Sequence, residues 1–218
     1  MGKDERKGAR RDRNQRTSQR VPELGYYFVV TDTQATEINY LYGFRDSIPP
    51  ELHNRLVIKV NRASTGDLVE KCMEMAAIEP QYRKPWIVFD RDQVKNFDQI
   101  ITDAEKQDIN VGWSNPCIEI WFHAYFGVMP MQQTSTQCNT DFEKAFQANT
   151  KQKYDKSDKD NYKKLCRFGN ELDAIKIAEL RHRQQCDNCT KPSDMLSTST
   201  LYLLIGEIKK KIDAEDKE

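Results

Sequence analysis

Nothing in this chain approaches the ~18 consecutive apolar residues that a membrane helix needs. Its first residues also lack the apolar segment of a secretory signal. A soluble, cytoplasmic protein with no membrane partner is expected. There is no excess of either charge. Thirty-four Lys and Arg face thirty-four Asp and Glu, so global basicity cannot argue for nucleic acid and only local patches count. Glycine is sparse, nine in all, and none builds a Gly-rich phosphate loop, which excludes a P-loop ATPase. The three histidines, His53, His123 and His182, are scattered without a triad pattern, and each reads as structural. The six cysteines, at 72, 117, 138, 166, 186 and 189, are too dispersed for a disulfide scaffold, so reduced thiols are expected. Only Cys186 and Cys189, with His182 one helical turn upstream, have metal-like spacing. A zinc site there would need a fourth ligand, and Cys166 or Cys138 have no spacing to recommend them. The plainer reading is a Cys-bearing loop after a helix.

What is present is enough for one full-sized domain. The 218 residues are 38% hydrophobic and 31% charged, rich in surface charge yet able to bury a core. The first twenty residues stand apart. Eight Lys or Arg (Lys3, Arg6, Lys7, Arg10, Arg11, Arg13, Arg16, Arg20) and three acids (Asp4, Glu5, Asp12) leave them at +5 with almost nothing apolar. Such a segment cannot offset its ordering entropy, so residues 1–20 are expected to form a basic disordered arm. From Gly25 the pattern changes to short apolar runs, at Tyr26–Val30, Leu56–Val60, Trp86–Phe89 and Ile109–Trp113, the form of strands in a mostly parallel sheet. Between them lie amphipathic stretches. Phe97, Ile100, Ile101 and Ala104 make one helical stripe, and Leu68, Val69, Cys72, Met73 and Ala76 make another. This alternation predicts an α/β core over 21–126, its central sheet covered by helices on both faces. Residues 127–218 read as a C-terminal extension. Its parts are a Gln/Thr/Asn-rich loop over 127–150, one long helix from about Asp158 to Arg183 with Leu165, Phe168, Leu172, Ile175 and Leu180 as apolar positions, and a last amphipathic helix over 199–212.

In open α/β sheets, ligands collect at the carboxyl ends of the strands. After the first strand comes Thr31-Asp32-Thr33-Gln34-Ala35-Thr36-Glu37, after the third Asp90-Arg91-Asp92, and after the fourth Ser114-Asn115-Pro116-Cys117-Ile118-Glu119. Asp32, Glu37, Asp90, Asp92 and Glu119 would then gather at three neighbouring strand ends. Gathered carboxylates repel one another unless a cation sits among them, and magnesium, with manganese as its substitute, is the hard cation that suits oxygen ligands. Asp90 and Asp92, two apart where the backbone leaves the sheet, can both reach forward to one ion. Further along, Lys151, Lys153, Lys156, Lys159, Lys163 and Lys164 interleave with Tyr154 and Tyr162, a pattern that suits a nucleic-acid backbone. Asp155, Asp158 and Asp160 dilute it towards a mixed-sign face.

Taken together, Asp32 to Glu37 with Tyr40, Phe89 to Asp92 and Ser114 to Trp121 resemble the RloB-like family of Toprim-type proteins. Tyr154-Asp155-Lys156 and the segment Pro192, Ser193, Ser199, Thr200, Tyr202 and Leu203 extend the resemblance over roughly residues 20 to 212. It implies a Toprim-like fold with magnesium or manganese held by Asp32, Asp90 and Asp92. It also implies candidate catalytic roles for Asp32, Glu37, Asp90, Asp92 and Glu119 in phosphodiester cleavage. Arg91, Lys153, Lys156 and Lys163 are the candidate contacts to nucleic acid, either transfer RNA or DNA. The resemblance further implies a bacterial anti-phage defence role beside an ABC- or AAA-type ATPase partner, and it leaves the oligomeric state open. The alternative is a non-catalytic partner subunit that keeps the scaffold and binds an ATPase or nucleic acid. Two departures stand out. Asp32-Thr33 occupies the place of the family's Glu-Gly, and Tyr125 stands where a His is usual, with His123 two residues earlier.

One expectation concerns the arm. Deleting residues 1–20 should leave the melting temperature nearly unchanged, because the segment has no apolar residues to bury. Filter binding across a salt series should show weaker nucleic-acid binding with a shallower salt dependence. A large fall in melting temperature would mean that the arm is packed.

Overall fold

The computed structural model describes residues 22–32, 35–77, 83–92 and 94–215; the expected arm 1–20 and Thr33 lie outside them. The order of elements is β1 (Gly25–Thr31), α1 (Thr36–Asp46), β2 (Leu56–Arg62), α2 (Leu68–Ala77), β3 (Arg83–Asp90), α3 (Phe97–Glu105), β4 (Asn110–Asn115), α4 (Glu119–Ala124), α5 (Ser135–Thr150), α6 (Asn161–Phe168), α7 (Glu171–Cys186), β5 (Thr198–Ser199) and α8 (Leu201–Glu215). The five strands form one sheet in the order β2-β1-β3-β4-β5. The first four are parallel, and β5 pairs antiparallel with β4 through Ser114 against Ser199 and Asn115 against Thr198. This is the α/β architecture expected from the alternation of strands and helices.

Both faces of the central strands are buried, which explains their unbroken apolar runs. Tyr27, Val29, Trp86 and Val88 point into one core with Tyr40, Leu41 and Phe44 of α1. Phe28, Val30, Ile87 and Phe89 point into the other, with Leu68 and Cys72 of α2 and Phe97, Ile100, Ile101 and Ala104 of α3. The chain leaves β1 towards β2 through α1 on one face, then returns through α2 on the opposite face to place β3 on β1's other side. Beyond the carboxyl ends of β1 and β3 the connections therefore diverge in opposite directions. That divergence opens a crevice, as it does in other open α/β sheets.

The C-terminal region departs from the sequence reading in two places. Residues 135–150, expected within a loop, form the helix α5. Its start is capped by the Thr134 hydroxyl, which accepts from the Gln137 amide at 3.2 Å. Its buried positions are Cys138, Phe142, Phe146 and Thr150, a stripe too narrow to show through the Gln, Thr and Asn around it. The expected single helix over 158–183 is two helices, broken at Gly169-Asn170, where the Asn170 side chain caps α7 by accepting from the Asp173 amide at 3.1 Å. The face of α7 differs too. Ala174 and Ala178 are buried, whereas Leu172 and Leu180 are 52% and 56% exposed, because the helix packs through its small residues.

The break at Gly169 is a close approach of backbones. A Cβ there would lie 2.5 Å from the Tyr125 carbonyl oxygen and 2.9 Å from that of Leu165, while the Asn170 amide donates to Tyr125 O at 2.9 Å. Gly169→Ala must push α7 away from the end of α4. A loss of about 1–3 kcal/mol is expected for such overpacking, read as a fall in melting temperature of roughly 3–10 °C. An unchanged melting temperature would show that the two segments separate freely.

Candidate metal and phosphate cleft

At the carboxyl ends of β1, β3 and β4 lies a cleft of about 580 Å³. Asp32, Glu37, Asp90, Asp92 and Glu119 all line it, together with Lys95 and Lys156. Thr36, Thr65, Asn96, Ser135 and Asn139 complete its polar walls. The five carboxylates expected at three strand ends thus share one cavity, since β1, β3 and β4 are neighbours in the sheet. Five acids face two ammonium groups there, and this deficit of positive charge dominates the site's electrostatics.

The floor is built from three of the acids. Asp90, the last residue of β3, accepts the Ile118 amide on Oδ2 at 2.9 Å. Its carboxyl group is also hydrogen-bonded to that of Glu37, in the first turn of α1. Desolvation, the charge and hydrogen bond of Glu37 and the charge of Glu119 together hold the Asp90 carboxyl well above the usual carboxylate range. Two carboxyl groups this close repel when both are ionised, and a proton or a cation between them relieves that repulsion. Glu119 is 1% exposed at the start of α4. Its Oε1 accepts from the Tyr154 hydroxyl at 3.1 Å and pairs with Lys156 Nζ at 3.0 Å, whereas its buried Oε2 has no hydrogen-bond partner. Burial opposes the charge on Lys156, but the Glu119 charge and hydrogen bond prevail and raise its pKa.

Asp32 and Asp92 belong to the walls. Asp32 Oδ2 accepts from the Thr65 hydroxyl at 2.6 Å, its buried Oδ1 has no hydrogen-bond partner, and desolvation raises its pKa. Asp92 is exposed, with φ +21°, a backbone region that Asp tolerates better than most residues. Its amide donates to Pro116 O at 3.0 Å, and its Oδ1 accepts from the Ser135 hydroxyl at 2.7 Å. Asp90 therefore meets Glu37 rather than Asp92, since the left-handed turn carries Asp92 to the rim.

The sequence motifs converge on this cleft. The Ser114-Asn115-Pro116 segment, with a cis bond between Asn115 and Pro116, is held by the C-terminal region. Ser114 Oγ lies 3.1 Å from Ser199 Oγ, and Asn115 Nδ2 donates to Ser193 O at 3.1 Å. Ser193 is anchored in turn by Asp98, which accepts from its amide at 2.8 Å and its hydroxyl at 2.6 Å. Of the four basic candidates, Lys156 lines the cleft, and Arg91, Lys153 and Lys163 lie outside its lining. Lys163 is paired with Asp160 at 3.1 Å and Lys164 with Asp158 at 2.6 Å, so neighbouring acids satisfy part of that lysine cluster. Lys95, Thr65, Ser135 and Asn139 were not singled out by the sequence. Lys95 alone had a signal, three residues after Asp92 in the turn that follows β3.

Among the described residues no group of three or more His, Cys, Asp or Glu is arranged to hold a metal ion. This applies equally to His182, Cys186 and Cys189, whose His182 Nδ1 instead meets the Tyr202 hydroxyl at 3.1 Å. A magnesium ion asks less of the protein. It binds through one or two carboxylates and keeps several waters, which the Asp90–Glu37 pair and the partnerless oxygens of Asp32 and Glu119 fit.

The raised pKa of Asp90 has a consequence for stability. A group that holds its proton more tightly folded than unfolded stabilises fully below its unfolded pKa, and that stabilisation is lost as pH rises through the folded value. In EDTA, wild type minus Asp90→Asn should therefore show stability falling as pH rises from the ordinary carboxylate range into Asp90's raised range. Taking the difference removes the opposite trend of buried His123, whose pKa is lowered to about 4 by desolvation. Thermal melts of both proteins across this range check it. A pH-independent difference would mean that the carboxyl pair is uncoupled.

A family model for RloB-like proteins matches residues 27–208. No curated protein and no solved structure matches the chain. The matched span runs from β1 into α8 and takes in all five cleft carboxylates as well as the Tyr154 and Lys156 that reach Glu119. With most of its length inside that match, the chain belongs to the RloB-like family.

Proposed function

We propose that this cleft binds magnesium or manganese and hydrolyses a phosphodiester bond in RNA, with transfer RNA as the first candidate, or in DNA. The observation that carries the reading is the gathering of five carboxylates with only two lysines in one open cleft. A site of this composition favours a divalent cation and, through it, an anionic phosphate.

Asp90 and Glu37 would hold the ion, with Glu119 or Asp32 completing its shell. A bound divalent cation supplies charge neutralisation at the scissile phosphate and acidifies a water. The remaining work falls to this chain's own groups. To hold the ion, both Asp90 and Glu37 would be ionised, any proton between them passing to solvent. Asp32, with its raised pKa and its partnerless Oδ1, is suited to take the proton of the attacking water. Lys95 on one wall and Lys156 on the other suit the non-bridging oxygens of the phosphate, and the hydroxyls and amides of Thr65, Ser135, Asn96 and Asn139 suit the sugar-phosphate backbone. The ATPase partner and the defence role implied by the resemblance are part of the same proposal.

The test is cleavage of total transfer RNA and of DNA by the purified protein with magnesium, manganese or EDTA. Activity should require the metal, and Asp90→Asn should lower it by about 10²–10³-fold, roughly 3–4 kcal/mol of barrier. Metal-dependent cleavage that survives Asp90→Asn would place the reaction elsewhere on the molecule.

A further inference from the structure

We propose that Lys156 is an exchangeable cation of the acid cleft: its ammonium group occupies Glu119 while the site holds no divalent ion and is displaced when one binds. The inference rests on the metal reading above and adds how the site is regulated. Three features of the Lys156–Glu119 pair carry it. The first is asymmetry. Lys156 is 47% exposed in its side chain and Glu119 only 1%, so a cation reaches in from the cleft mouth to a carboxylate that cannot leave.

The second is incomplete satisfaction of that carboxylate. Glu119 receives both of its donors, Tyr154 and Lys156, on Oε1, and buried Oε2 has no hydrogen-bond partner. Among the described residues, another buried Glu–Lys pair is built differently. Glu171 accepts from the Tyr125 and Tyr162 hydroxyls on Oε1, at 2.9 and 3.0 Å, and pairs with Lys209 on Oε2 at 3.0 Å, so both of its oxygens are engaged. Glu171 has the arrangement of a structural ion pair, and Glu119 that of a carboxylate with a coordination position in reserve. The third feature is the mounting of Lys156. Tyr154, two residues earlier, is locked in an aromatic cluster, its ring 4.8 Å from that of Phe142 and 5.4 Å from that of Phe146. The lysine thus hangs from a fixed point. When it is displaced, its ammonium group stays at the cleft wall, where an incoming phosphate would meet it.

The exchange is tested with manganese alone, its free fraction read by electron paramagnetic resonance in titrations of the full chain. Lys156→Met should bind manganese about five- to tenfold more tightly than wild type, the scale of a half-exposed ion pair no longer competing for the carboxylate. Lys156→Arg should restore affinity to near wild type. Tyr154→Phe, which removes a neutral donor from the same oxygen, should change it by less than about twofold. Both Lys156 variants are expected to remain folded, Lys156→Met at some cost in melting temperature because Glu119 loses its cation. Melting curves taken alongside verify this, and Lys156→Gln replaces the Met variant if that variant melts early. Binding that appears only in Lys156→Met would support the exchange in its strongest form. Unchanged or weaker binding in Lys156→Met, with binding abolished by Asp90→Asn, overturns the exchange and leaves the metal site standing. No manganese binding in wild type or in any Lys156 variant overturns both.

Discussion

The close approach of the Asp90 and Glu37 carboxyl groups is the constraint around which the cleft is arranged. Two full negative charges about 4 Å apart repel by roughly 4 kcal/mol even at the effective dielectric of a protein surface. The pair exists because a proton lies between the groups, or because a cation takes its place. Nothing about it is local in sequence. Asp90 ends β3, Glu37 sits in the first turn of α1, and the Ile118 amide that holds Asp90 comes from the loop after β4. The switch in strand order at β1 and β3 brings these three connections to one place, and the apolar runs on either side fix that order. The buried strands hold these acids together against their own repulsion.

The helices of the C-terminal region brace this arrangement from behind. Phe142 of α5 is fully buried among Phe122, Phe126, Phe146 and Tyr154, with ring centroids 4.8–6.1 Å away. Truncating such a ring costs about 3–5 kcal/mol, so Tyr154, and through it the donor to Glu119, is positioned by packing. The short strand β5 does similar work at the sheet edge. There the Thr200 hydroxyl accepts from the Trp113 amide at 2.9 Å and donates to Val111 O at 3.2 Å. Ser135, Asn139 and Lys156 bring this region into the lining of the cleft.

The four parallel strands, α2, α3 and the last helix were legible in the sequence because each carries an apolar pattern of the right period. Phe97, Ile100, Ile101 and Ala104 are buried as their spacing predicted. The shared cleft of five acids was legible for a related reason, since strand ends are where an open sheet presents its side chains. What could not be read was set by contacts without periodicity. Helix α5 buries one residue per turn behind a polar composition, and α7 turns two leucines outward because Ala174, Ala178 and Glu171 make the contacts. The break at Gly169 depends on the Tyr125 carbonyl, 44 positions away in the chain. The partner of Asp90 was likewise hidden. Spacing suggested Asp92, but a left-handed backbone at Asp92 sends that side chain to Ser135, and Glu37 arrives from another element altogether.

Tyr125, which stands where the resembled family usually has a histidine, lies outside the cleft lining and is buried behind it. Its hydroxyl lies 2.8 Å from the Tyr40 hydroxyl and donates to Glu171 at 2.9 Å, where Tyr162 and Lys209 also converge. Tyr40 is three residues after Glu37 on α1, and Tyr125 directly follows α4, which begins at Glu119. The hydroxyl chain therefore ties together the two helices that deliver two of the three floor acids. A tyrosine in this position cannot take a proton near neutral pH, because burial and the neighbouring Glu171 charge push its ionisation far upward. It can hold α1 and α4 in register. Nor does His123 supply the missing imidazole at the cleft, because it is 3% exposed, both its ring nitrogens lack hydrogen-bond partners, and it packs edge-on against Phe142. Under the proposed hydrolysis a proton acceptor would therefore be a carboxylate, and Asp32, whose pKa desolvation raises, stands outside the Asp90–Glu37 pair. In that reading the shorter reach of Asp32 compared with a glutamate, rather than the absent histidine, would bear on the attacking water.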